Sequence, residues 1–177
     1  MNLSIPLFRA KKQDSDEYVD GYYFHQEWTG NYPNEDAEER EEKIKHFICG
    51  FTTYDIWDDE EGHFKFMGID EIDSTTLAIH FPDMLDSQGN KIFASLSEDG
   101  KGGDVFKHSV NCRLDSPRPH DGTYWIKCES PLIYKNFSFC LAYKIEDYTP
   151  LYSEHKITNR KGYSSFEKNL EKLGIQE

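Results

Sequence analysis

The chain has 177 residues, enough for one domain with a core of its own, so neither disulfides nor a metal are required for it to fold. Hydrophobic residues make up 37% and aromatic residues 15%, with 12 Phe, 11 Tyr and 3 Trp, a composition that argues against disorder and for a β-rich globule. The net charge of −13 is uneven: residues 1–100 hold 23 acids and 8 Lys or Arg, residues 101–177 hold 10 acids and 12 bases, and a field of that sign repels nucleic acid and suits a basic protein patch.

In chain order, Glu17–Trp28, "EYVDGYYFHQEW", is dense in β-formers and broken by Asp20-Gly21, and reads as a hairpin or a bulged strand. "NYPNEDAEEREEKIKHF" follows, with Asn34 as a cap, acids in the first turn, and Glu39/Lys43 and Glu41/Lys45 spaced four apart. That pattern predicts an exposed helix near Asn34–His46 within an acidic insertion over about 31–47, with an acidic loop as the alternative. Strands are expected at "FICGFTTYDIW", "HFKFMGI", "TTLAIHF", "KIFASL", "DVFKHSVNC", "TYWIKCE" and "LIYKNFSFCLAYKI". Turn clusters such as "DDEEG" and "DSQGN" separate them, and many short strands with frequent turns suggest a barrel or sandwich. Pro117 and Pro119 place "LDSPRPHDG" in a loop. At the C-terminus, Ser164 and Glu167 match a capping box, Phe166, Leu170 and Leu173 share a helical face, and Gly174 is a stop signal. A short amphipathic helix is expected there, docked on the rest of the fold or offered to a second copy.

The stretch Ser97–Phe106, "SEDGKGGDVF", has the glycines and lysine of a phosphate loop without its order. Lys101 is followed by Gly102 rather than Ser or Thr, GxGxxG is absent, and Glu98, Asp99 and Asp104 do not take the alternating positions of a calcium loop. It reads as a turn whose glycines supply positive φ. His46, His63 and His80 lie singly in regular runs, and His120-Asp121 is a two-residue match to a metal pair. Cys49, Cys112, Cys128 and Cys140 form no CxxC pair and read as buried free thiols. With no GxSxG or HExxH, the sequence leans away from catalysis and predicts no catalytic residue, cofactor or metal. Partner contacts are placed instead on the acidic residues Glu35, Asp36, Glu38 and Glu39 and on the run Asp58, Asp59, Glu60 and Glu61.

Two blocks carry a family resemblance. "LFRAKKQDSDEYVDGYYFH", Leu7–His25, and "DSQGNKIFASLSEDGKGGDVF", Asp86–Phe106, resemble the YopX-like proteins of phages and prophages. Those proteins open with a Phe-Arg-Ala segment and a Gly-Tyr-Tyr strand, and later carry an Asp-x-x-Gly-x-Lys-Ile-Phe turn and strand leading into Gly-Asp-Val. Here "ASLSEDGKG" lengthens the connection before Gly103-Asp104, the middle acidic segment has no counterpart, and the closing Ile-Gly-Asn-x-Tyr strand and Asn-Pro-Glu are missing. The resemblance implies a small, mainly β protein with barrel-like parts, encoded by a phage or mobile element, and brings no catalytic residues.

Together these readings predict a mainly β, barrel-like and partly SH3-like domain over residues 1–150, its barrel character around Lys91–Cys112, and an extension over 151–177 bearing the C-terminal helix. The expected function is that of an accessory protein binding a host or phage protein, a nucleic-acid-handling or defence factor, through its acidic surface. One alternative is a homo-oligomeric assembly protein using Phe166, Leu170 and Leu173; another is a small-molecule or nucleotide-binding barrel using the loops at Ser97–Gly103 and Asp115–Gly122. No apolar run reaches membrane-spanning length and no leader is evident, so a cytoplasmic location in a bacterial host is expected, without membrane or direct nucleic-acid binding.

Overall fold

Alternation of side chains across extended segments generates most of this molecule. The computed structural model describes residues 5–28, 43–58, 62–113, 123–145, 160–167 and 170–177. Strands β1 (Leu7–Lys11) and β2 (Tyr18–Trp28) form a hairpin in which Ala10 opposes Val19. β3 (Lys43–Asp58) and β4 (Gly62–Glu71) extend it into a meander, with a register irregularity between Cys49 and Thr53. A 3-10 turn at Ser74–Thr76 follows, capped by Asp73, whose Oδ1 accepts from the Thr75 N–H at 2.9 Å. β5 (Ala78–His80) and β6 (Ala94–Ser95) are short and fully buried. β7 (Asp104–Arg113), β8 (Thr123–Lys135), β9 (Ser138–Ile145), β10 (Arg160–Ser165) and β11 (Glu171–Ile175) complete the chain.

The hydrogen-bonded order is β10-β9-β8-β6-β5-β1-β2-β3-β4, with β7 between β8 and β11 off this path. The fold is therefore mainly β and the sheet is open. β8 serves two neighbours: Thr123–Pro131 pair with β7, and Leu132–Lys135 pair with β9. Its link to β6 is parallel, Ser95 opposite Ile133. Among the described residues three apolar clusters result. Ala10, Val19, Ile48, Ile72 and Leu77 sit under the meander; Ile92, Ala94, Phe106, Leu132 and Leu141 fill the middle; Val110, Cys112, Ile126 and Ile145 lie between the β7–β8 and β9–β10 ribbons.

Two sequence expectations need correction. The C-terminal helix is replaced by strands β10 and β11: Ser164 pairs with Leu141 and Lys172 with Phe106. The helical spacing of Phe166, Leu170 and Leu173 is outweighed by backbone pairing to β9 and β7, while Phe166 and Leu170 pack on the middle cluster. Residues 160–165 and 171–175 are thus built into the sheets. At the other end, Lys43–His46, expected to close the acidic helix, begin β3, and Lys45 pairs with Glu71 at 2.8 Å. Residues 29–42 lie outside the described residues.

The β8–β9 hairpin turns through Asn136 (φ 51°) and Phe137 (φ 60°), both left-handed. Glycine suits the second position of such a turn, and a Phe there bears a backbone penalty while its ring is 93% exposed. Phe137→Gly should raise the unfolding free energy by about 1 kcal/mol, measured as a higher urea midpoint with unchanged slope.

Candidate functional site

The Gly-rich loop is an internal brace. Every backbone N–H from Gly100 to Asp104 has an acceptor within the molecule: Gly100 donates to Ser97 O, Lys101 to Asp99 Oδ1, Gly102 to Gln176 O, Gly103 to Gly100 O, and Asp104 to Phe93 O. An anion cradle needs donors aimed outward, and this loop has spent them. Its glycines answer to close packing: a Cβ at Gly102 (φ 74°) would overlap the carbonyl of Thr76, and one at Gly103 the carbonyl of Leu132.

The loop delivers Asp104, whose side chain is fully buried. Its Oδ2 accepts from the Phe93 N–H and from Lys172 Nζ, each at 2.8 Å, and its Oδ1 from Arg9 Nη1 at 3.3 Å. Arg9 also bonds Asp20 at 2.9 Å and lies 3.8 Å over the Phe93 ring. Burial pushes the Asp104 carboxyl up, against the downward pull of Lys172, the Phe93 N–H and Arg9. The carboxylate is enclosed by protein donors, so its chemistry is cohesion between β1, β7 and β11.

A Ser–His pair lies between the ribbons: His108 Nε2 is 2.8 Å from Ser130 Oγ, and its Nδ1 is 3.3 Å from Ser164 Oγ. A nucleophile needs access and an oriented base. Ser130 is fully buried, and the second ring nitrogen meets a hydroxyl instead of a carboxylate, so the pair pins β7 to β8 and β10. Burial lowers the affinity of His108 for a proton, and likewise that of His80, whose Nδ1 lies 3.0 Å from Ile92 O. His46 meets Tyr23 Oη at 2.8 Å. The four cysteines are free thiols: Cys112 is buried, Cys49, Cys128 and Cys140 half-buried, and burial raises Cys128 and Cys140. Among the described residues no three His, Cys, Asp or Glu converge on a metal position. His120 and Asp121 lie outside the described residues, and the side chain of His63 is not described.

Of the partner-contact residues, Glu35, Asp36, Glu38, Glu39, Asp59, Glu60 and Glu61 lie outside the described residues, and Asp58 ends β3 opposite Gly62. Their connections are nonetheless defined: 29–42 join β2 to β3, and 59–61 join β3 to β4. These connections leave opposite ends of the 16-residue β3, a strand length of about 50 Å. Of the oligomer residues, Phe166 stacks edge-on to Phe106 at 5.0 Å and Leu170 packs on the same cluster, leaving Leu173 exposed. A polar groove of about 360 Å³ lies at the β1–β2 turn, lined by residues 11–16 and Asp73, with Lys11 held by Asp16 and Lys12 by Glu17 and Asp70.

Sequence reading missed the outward face of the meander. Register places Tyr22, Cys49 and Ile69 in one row and Phe24, Phe47 and Glu71 in the next. Phe24 and Phe47 stack at 5.2 Å, and Tyr22, Phe24 and Ile69 are exposed. The opposite face carries Tyr23 and Ile48 over the core. The signal was "GYYFHQE", in which both alternating sets are aromatic, more than a half-buried strand requires.

Two outcomes follow from the buried polar groups. Asp104→Asn should cost about 3–5 kcal/mol, because Lys172 and Arg9 lose their common carboxylate, and urea unfolding measures it. His108 and His80 are held below the ordinary imidazole value of 6.5, so the unfolded chain binds more protons as pH falls below that value. Melting temperature should therefore drop between about pH 7 and about pH 5, with a shallower slope in His108→Asn; equal slopes would remove His108 from the account.

Compared with protein-family models, curated proteins and solved structures, the chain has no match.

Proposed function

We propose that this is an accessory protein of a phage or mobile element that binds a host or phage protein through the acidic region around β2, β3 and β4. Charge distribution carries the reading: residues 18–71 hold 15 Asp or Glu and 4 Lys or Arg, so a small part of the chain accounts for most of the net charge. Such a field speeds encounter with a basic partner and disfavours nucleic acid. The phage assignment rests on the YopX-like blocks. The invested chemistry at Asp104 and His108 is enclosed, which favours a binding role over catalysis.

The test is affinity capture from a lysate of the bacterial host, with nuclease present, comparing wild type with Glu35→Lys/Asp36→Lys/Glu38→Lys/Glu39→Lys. A stoichiometric protein partner that dissociates with salt should be captured by wild type and lost by the variant. Equal capture by both proteins would refute this placement of the interface.

A further inference from the structure

We propose that His25 and His46, opposed across β2 and β3, form a binding site for a divalent transition-metal ion of the class that prefers imidazole nitrogen: Zn²⁺, Ni²⁺ or Cu²⁺. Strand register sets the two residues directly opposite each other, with ring centroids 6.4 Å apart. Tyr23 shares their face: its ring lies 6.3 Å from that of His25 and 5.9 Å from that of His46, and its Oη is 2.8 Å from His46 Nδ1. The row inward, Tyr23 opposite Ile48, packs on the apolar cluster under the meander, so the histidine row lies just past the core, with His25 exposed and His46 half-buried. Neither imidazole belongs to that cluster.

The geometry suits chelation. Two imidazoles bound to one tetrahedral ion at about 2.0 Å hold their ring centroids about 5 Å apart, so about 1 Å must be closed, which rotation of the exposed His25 side chain supplies. His46 is the fixed partner. When its Nδ1–H donates to the Tyr23 oxygen, the proton is held on Nδ1 and Nε2 keeps its lone pair for the metal, the arrangement that outer hydrogen bonds give ligating histidines. Burial pushes the Tyr23 phenol up, so it stays neutral and its oxygen serves as the acceptor. Glu27, two residues beyond His25 on the same face, is exposed and adds a negative charge next to the site. With two protein ligands the other coordination positions fall to water, and the ion is an exchangeable clip between β2 and β3 rather than a resident cofactor. The site does not depend on the acidic-binder proposal.

The test is isothermal titration of the full chain, stripped with EDTA, with Ni²⁺ and Zn²⁺, beside thermal melts in the same ions and in Mg²⁺. Ni²⁺ and Zn²⁺ should bind and raise the melting temperature, whereas Mg²⁺, which takes oxygen ligands, should not. His25→Thr, which keeps β propensity at an exposed position, should abolish both the binding heat and the shift, and His46→Thr should do the same. Should His46→Thr fail to fold, His25→Thr alone decides. Tyr23→Phe keeps both imidazoles and should weaken binding about tenfold. No binding by wild type overturns the inference, as does a His25→Thr titration that matches wild type, which would place the ion on other residues. Unchanged affinity in Tyr23→Phe overturns the role given to the phenol.

Discussion

A carboxylate removed from water must be matched by donors, and the architecture here turns on how Asp104 is matched. Taking a charge out of solvent costs several kcal/mol, recovered only when cations and N–H groups meet it in good geometry. Here the donors come from widely separated parts of the chain: Arg9 on β1, the Phe93 backbone before β6, and Lys172 on β11. β11 is registered along β7 by its backbone ladder, and the carboxylate ties this pair to β1 and to the segment before β6. The Gly-rich loop makes this junction reachable, because only residues without a Cβ can pass so close to Thr76 and Leu132.

How much of this was legible in the residues depends on the range of the interaction. Period-two alternation marks strands locally, and the β-rich character, the turn at "DSQGN" and the structural nature of "SEDGKGGDVF" could be read directly. In that turn Asp86 Oδ1 accepts from the N–H groups of Gln88 and Asn90, and Gly89 takes φ 85°, as its composition suggests. The C-terminus was misread because a helical stripe and a capping box are also local signals, whereas the pairing of Lys172 with Phe106 and its bond to Asp104 are nonlocal. Strand assignments of this kind are decided by the available edge, here that of β7. The Arg9–Asp104 pairing was likewise invisible: 95 residues separate the partners, and nothing in either neighbourhood identifies the other.

The candidate interface was half legible. Charge is additive and needs no fold, so the acidic bias could be counted; the aromatic rows needed the register of three strands before Phe24 met Phe47 and Cys49 met Ile69.

The position of β11 in the chain also bears on the order of synthesis. β7 is synthesised before Glu171–Ile175, so until those residues follow, Asp104 has Arg9 but lacks Lys172, and the edge of β7 is without its native neighbour. The loop backbone is incomplete as well, since Gly102 and Gly103 bond to Gln176. An unpaired strand edge is a template for wrong pairing. The nascent protein therefore depends on residues 171–176 to complete an ion cluster begun by Arg9, and β7 keeps an unpaired edge until they are made.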